Sequence, residues 1–268
     1  MTIKGTDLSA ITFLKDADDD EAYSFKKNAI ISGTDDSAKA TLTSEASGNF
    51  KAEKYDVNYI DATKVTKKNL TLTGTENMDT LIGGGKKTTL KGGGGDDSLK
   101  GGSGKDTFFY AKGESGDVKI ADFDVKNDKL KIANGTITEI STVSGGIQFS
   151  MNKGRNDTNI ATFTIENFAT YDSSGTLTTK AIDPNKVLIK ANNNYYWFAQ
   201  GGETLASSTA DEITTVDEVG QLITSSTKPT SADIASCDVI DLTYTTNLTR
   251  LNSNGDSVAV KVTNTFKK

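Results

Sequence analysis

Short apolar runs separated by turn residues organise this chain almost from end to end. Before residue 74 they are Ile11-Thr12-Phe13-Leu14, Ala29-Ile30-Ile31, Ala40-Thr41-Leu42 and Val57-Asn58-Tyr59-Ile60. After residue 115 come Val118-Lys119-Ile120, Lys129-Leu130-Lys131-Ile132, Ile147-Gln148-Phe149, Ala161-Thr162-Phe163-Thr164-Ile165, Val187-Leu188-Ile189, Val239-Ile240-Asp241-Leu242 and Val258-Ala259-Val260-Lys261-Val262. Alternation of polar and apolar positions is the two-residue period of a strand with one buried face. Asn134-Gly135, Ser144-Gly145-Gly146, Ser173-Ser174-Gly175 and Asn254-Gly255 supply turns between them. One short helix is predicted near the C-terminus. Thr215-Val216-Asp217-Glu218 fits a capping box, Val219, Leu222 and Ile223 follow at helical spacing, and Lys228-Pro229-Thr230-Ser231 ends it.

Between these regions the pattern becomes strictly periodic. Four nine-residue units run in frame: Gly74 to Ile82 (GTENMDTLI), Gly83 to Lys91 (GGGKKTTLK), Gly92 to Lys100 (GGGGDDSLK) and Gly101 to Phe109 (GGSGKDTFF). Glycine opens each unit, where the chain must turn sharply. Position six is Asp79, Thr88, Asp97 and Asp106, and position eight is Leu81, Leu90, Leu99 and Phe108. The apolar anchor at position eight points inward from a three-residue strand. No single unit can bury that strand alone, so the units must stack. A carboxylate beside a glycine turn is a hard oxygen donor of the kind calcium takes together with backbone carbonyls.

The array resembles the RTX family, the hemolysin-type calcium-binding repeats of bacterial proteins exported by type I secretion. The segment after it, Tyr110-Ala111-Lys112-Gly113, Ile120-Ala121-Asp122-Phe123-Asp124 and Asn127-Asp128-Lys129-Leu130, resembles the stretch with which members close the array. The resemblance implies an all-β fold, a parallel β-roll or β-solenoid in which two units make one coil. Units one and three then stack on one side, and units two and four on the other. It also implies calcium between stacked turns. Asp79 and Asp97 would share a site with the backbone of Gly92 and Gly94, neighbouring Asp96 would assist, and Asp106 would pair with Thr88. Lys86, Lys87 and Thr88 depart from the pattern in unit two, so the Thr88–Asp106 side is expected to be empty or weak. One or two ions are expected in total.

Four regions follow: 1–73, an irregular β or solenoid region; 74–132, the calcium-binding roll and its closing segment; 133–200, a β-rich cap; and 201–268, with the short helix and a candidate secretion signal. Composition fits. Only 35% of the 268 residues are hydrophobic and 7% aromatic, while 25 are glycine, which suits a solenoid that buries a narrow strip per coil. One cysteine, Cys237, permits no internal disulfide, so either the protein is intracellular or another staple serves it, with calcium the obvious candidate. The acidic run Asp16, Asp18, Asp19, Asp20 fails as an EF-hand, because Glu21 and Lys27 stand where glycine and glutamate are needed.

Histidine is absent, which removes imidazole-based catalysis and His-ligated zinc. With no nucleophile elbow, zinc-protease or phosphate-loop motif either, no enzyme is expected. A net charge of −6, with Arg155 and Arg250 the only arginines, argues against nucleic acid as a partner, and no run is apolar enough for a transmembrane segment. The expected function is a calcium-stabilised structural module of a secreted or cell-surface bacterial protein that the type I machinery exports. The alternatives are a self-associating surface-layer or adhesin unit, and a polysaccharide-binding accessory module. For the last, Tyr195-Tyr196-Trp197-Phe198 is a candidate sugar platform, although a capping strand is the favoured reading of those rings.

Overall fold

The protein is described here from a computed structural model, which describes residues 11–12, 23–26, 28–32, 38–111, 114–133, 136–144, 146–152, 160–191, 194–198, 229–245, 247–251 and 257–261. Strands β1 (Ile11–Thr12), β2 (Tyr23–Lys26), β3 (Ala29–Ser32) and β4 (Lys39–Leu42) pair antiparallel in chain order. From β4 the connection changes character. β5 (Gly48–Lys51), β6 (Tyr59–Asp61), β7 (Leu70–Thr73), β8 (Thr80–Ile82), β9 (Thr88–Lys91), β10 (Ser98–Lys100), β11 (Thr107–Ala111), β12 (Gly116–Ile120) and β13 (Lys129–Ala133) alternate between two sheets. The even-numbered strands from β4 to β12 add in parallel to one sheet, and the odd-numbered strands from β5 to β13 to the other.

The register explains the sequence period. Thr80 pairs with Ser98 and Leu81 with Leu99, while Thr89 pairs with Thr107 and Leu90 with Phe108. Residues two units apart are therefore stacked neighbours, and every position-eight anchor (Leu81, Leu90, Leu99, Phe108) is fully buried. The inward residues of both sheets belong to one apolar cluster.

The parallel stack extends beyond the repeats. Leu70 pairs with Thr88 and Leu72 with Leu90, the same two-unit step, so Val65 to Thr73 is a degenerate unit in phase with the array. Its position eight, Leu72, keeps the apolar anchor, and no glycine announces it. One coil earlier, a helical turn α1 (Ala52–Tyr55) stands where the repeats have a glycine turn, and Asp56 ends it in the left-handed region at φ 57°.

Beyond β13 the fold is both parallel and antiparallel. β14 (Thr136–Val143), β15 (Gly146–Asn152) and β16 (Ile160–Ile165) pair antiparallel, and β16 returns parallel to β12. A hairpin of β17 (Phe168–Tyr171) and β18 (Leu177–Lys180) follows. β19 (Val187–Ala191) pairs with β20 (Asn194–Trp197), and β21 (Asp238–Thr245) inserts between β13 and β19, parallel to both. β22 (Asn247–Leu251) and β23 (Ser257–Lys261) form a separate hairpin. Trp197 and Phe198 are buried and β20 is an edge strand, as the capping reading of that aromatic run requires.

The second helix, α2 (Ser231–Ser236), begins where the sequence reading placed a helix breaker. Thr230 and Asp233 form its capping box, each side chain serving the other's backbone N–H. The helix expected after Thr215, the acidic run from Asp16 and the Asn134-Gly135 and Asn254-Gly255 turns lie outside the described residues. Among the described residues, no helix is long and apolar enough to cross a membrane.

Candidate metal centre

The position-six residues stack in two columns, one along each sheet. In the first, Asp79 stands next to Asp97, whose Oδ1 accepts the Asp79 N–H at 2.9 Å. In the second, Asp106 Oδ1 accepts the Thr88 N–H at 2.6 Å. Each carboxylate thus closes a backbone donor of the preceding coil. Asp79 also draws in its own turn, with Oδ2 accepting from Thr75 N at 2.6 Å and Thr75 Oγ1 at 2.9 Å.

These hydrogen bonds leave one oxygen of each carboxylate over. Asp79 Oδ1, Asp97 Oδ2 and Asp106 Oδ2 are buried and have no hydrogen-bond partner. The three residues are no more than 2% exposed. A buried carboxylate lone pair without donor or counter-charge is costly unless the group takes a proton or a cation. Burial raises all three carboxyls above the usual carboxylate range, Asp97 to about 7 with Asp79 and Glu114 adding to the rise, and Asp106 to about 9 with Asp128 adding to it.

The glycine turns pack directly on these carboxylates. A Cβ at Gly92 would lie 2.0 Å from Asp97 Oδ2, and one at Gly101 would lie 2.8 Å from Asp106 Oδ2. Nothing larger than glycine leaves room beside these oxygens. Among the described residues, no three acidic, histidine or cysteine side chains converge as a metal cluster. A cation here would therefore take one or two carboxylates and complete its shell with backbone oxygens, a ligand set that calcium accepts. The residues present fit calcium on this ground. Asp79 and Asp97 would hold one ion at one edge, Asp106 would offer a carboxylate to another at the second edge, and each ion would supply neutralising charge. Asp96 is exposed, and its Oδ1 accepts the Asp117 N–H at 2.9 Å. Gly94 donates its N–H to the Thr75 carbonyl of the stacked turn.

Two features of the second column were not read from the sequence. Lys86 and Lys87 are exposed, while Thr88, which stands where the first column has a carboxylate, is buried. The column also continues past the repeats. Asp128 stacks on Asp106 and accepts its N–H at 2.8 Å, and Asp122 accepts from Gly101 N and Gly102 N. Tyr171 in turn donates to Asp122 Oδ2. Asp122 and Asp128 are buried, and burial pushes Asp128 up to about 8. Their spacing from Asp106 breaks the nine-residue frame, which is why the period hid them.

A pH dependence follows. Asp97, Asp106 and Asp128 have folded-state values well above the ordinary carboxylate value of 3.8, so the folded chain binds protons more tightly than the unfolded one. Their contribution to stability is complete below pH 3.8 and is lost as pH rises through about 7 to 9. In calcium-free buffer the melting temperature is expected to fall across that window. Saturating calcium is expected to flatten the fall, because the ion replaces the proton. Melting curves with chelator and with calcium at several pH values test this, and parallel profiles would contradict it.

No curated protein and no solved structure matches the chain. A family model for the RTX calcium-binding nonapeptide repeat matches residues 82–114 with four copies. The match starts one residue before the second unit and runs past Phe109 to Glu114, so Asp97 and Asp106 lie inside it, while Asp79, Asp122 and Asp128 lie outside. Its period agrees with the strand register, in which residues two units apart are paired. Over residues 82–114 the chain is thus similar to the RTX calcium-binding nonapeptide repeat.

Proposed function

We propose that the chain is a calcium-stabilised β-roll module of a bacterial protein that is exported by type I secretion and works outside the cell. The observation that carries the calcium part is the set of three buried, unpartnered carboxylate oxygens on Asp79, Asp97 and Asp106. They are placed by the same glycine turns that define the repeats. The alternation of parallel strands between two sheets supports the roll, and the repeat family supports export and an extracellular setting.

The role is structural. Without a cation the carboxylates of Asp79 and Asp97 repel across stacked turns, and each ionised group lacks solvent. An ion between coils offsets both costs and ties the turn of one coil to the next. Calcium would then act as the disulfide-free staple of a chain with a lean core. In calcium-poor surroundings the stack would be loosened, and in calcium-rich surroundings it would tighten.

A calcium titration followed by circular dichroism and calorimetry tests the reading. At calcium a hundredfold above the dissociation constant, a site found only in the folded state adds about 2.7 kcal/mol. Asp97→Asn is expected to weaken binding at least tenfold, while Asp96→Asn, at an exposed side chain, changes it less. Identical melting in calcium and in chelator would overturn the proposal.

A further inference from the structure

The outer face of the second sheet carries an arrangement that calcium binding does not use. The strand register brings Lys51, Thr73, Lys91, Phe109, Lys131 and Thr243 into one row across β5, β7, β9, β11, β13 and β21. Phe109 is the aromatic centre of this row and is partly exposed. Lys91 Nζ lies 4.8 Å from the centroid of its ring and Lys131 Nζ 5.3 Å. The neighbouring row reads Thr71, Thr89, Thr107, Lys129, Asp241, Lys190.

Charge is distributed unevenly over these two rows. Their one carboxylate, Asp241, is already held by Lys129 at 3.5 Å and Lys190 at 3.2 Å. Lys51, Lys91 and Lys131 form no ion pair among the described residues. Glu114, whose carboxylate accepts the Ala111 N–H, also lies close enough to Lys91 for their charges to interact. A chain of net charge −6 thus presents a cationic strip on one sheet face, with an aromatic ring in the middle and threonine hydroxyls alongside.

We infer that this strip binds a linear glycan bearing carboxylates. Lys91 and Lys131 lie two strands apart, roughly 10 Å by ordinary strand spacing, which is the length of a disaccharide. Carboxylates on alternate sugars would reach both ammonium groups, which the Phe109 ring between them holds apart by cation–π contact. The threonines offer hydrogen bonds to ring hydroxyls. The strip has no arginine, so it lacks the two-pronged donor that favours phosphate, while lysine serves a single carboxylate as a point charge. That chemistry, with the Phe109 ring already covered by the two ammonium groups and not free for a base to stack on, favours a glycan over a nucleic acid. The aromatic run at Tyr195 to Phe198 does not fill this role, since Trp197 and Phe198 are buried.

The inference does not rest on the calcium reading, and its test separates the two. Binding of the full chain to a hyaluronan decasaccharide, a neutral dextran of similar length and a single-stranded DNA oligonucleotide is measured by calorimetry in calcium, with circular dichroism on every variant. Hyaluronan is expected to bind and to weaken with added salt, while dextran does not bind. The double variant K91E/K131E is expected to lose at least tenfold in affinity and Phe109→Ala about threefold or more, both with unchanged calcium response. Lys119→Glu, on an exposed position of the other sheet, is the control and keeps wild-type affinity. Equal binding of dextran, tighter binding of DNA, or full affinity in a folded K91E/K131E protein would overturn the proposal.

Discussion

Gly93→Ala is expected to destabilise the protein by about 3 kcal/mol or more, as the sum of two effects. Gly93 has φ +105°, a region that side chains rarely enter, and a Cβ there would stand 1.9 Å from the Thr75 carbonyl oxygen of the stacked turn. That contact is with backbone, which cannot rotate away. The coils would have to separate, and the Asp79–Asp97 hydrogen bond would go with them. Gly175 isolates the first effect. Its φ is +82°, yet nothing lies within 4 Å of its Cβ position. Gly175→Ala should therefore cost only the dihedral penalty, about 1 kcal/mol. Urea unfolding of the two variants measures the difference, and equal losses would show that close stacking of the turns is not what requires glycine at position 93.

Phe108→Ala is expected to be at least as damaging, at about 3 to 5 kcal/mol. Phe108 is fully buried and packs against Phe123, with ring centroids 5.8 Å apart. It is the position-eight anchor of the last unit, and Phe123 lies in the closing segment beside Asp122. Removing the ring opens a cavity where the regular coils meet that segment. Met78→Ala provides the contrast. Met78 is 67% exposed on a repeat turn, so its truncation should change stability by less than about 0.5 kcal/mol. Denaturant melts of both variants in calcium test the pair, and similar midpoints for Phe108→Ala and the parent protein would contradict the packing argument.

Much of this was legible in the sequence because the repeats are a local code. A nine-residue period with glycine first and an apolar anchor eighth dictates turn, strand and stacking partner, and the register confirms the two-unit step at Leu81–Leu99 and Leu90–Phe108. The code fades where geometry tolerates other residues. Val65 to Thr73 keeps the step without glycine, so only pairing with Thr88 to Lys91 reveals it. Asp122 and Asp128 escaped because the six residues between Phe109 and Gly116 interrupt the frame, although Asp128 lies directly on Asp106. The β21 strand was visible as an alternating run, but its place between β13 and β19 depends on pairing across distant sequence, which no local pattern encodes. The α2 helix was missed for the opposite reason: Thr230 and Asp233 form a complete local cap, but Pro229 read as an end and not as a prelude.

That position of β21 has a consequence for how the molecule is built. The central repeat coils close over steps of 18 residues, short loops that can form as soon as the next two units are available. The seam of β13, β21 and β19 is different, since Lys129 must find Asp241 more than a hundred residues later. Until that strand arrives, β19 and β20 have no route into the second sheet. Among the described residues the chain therefore combines rapid local winding with a late, high-contact-order ligature, and the closing of this seam waits for β21.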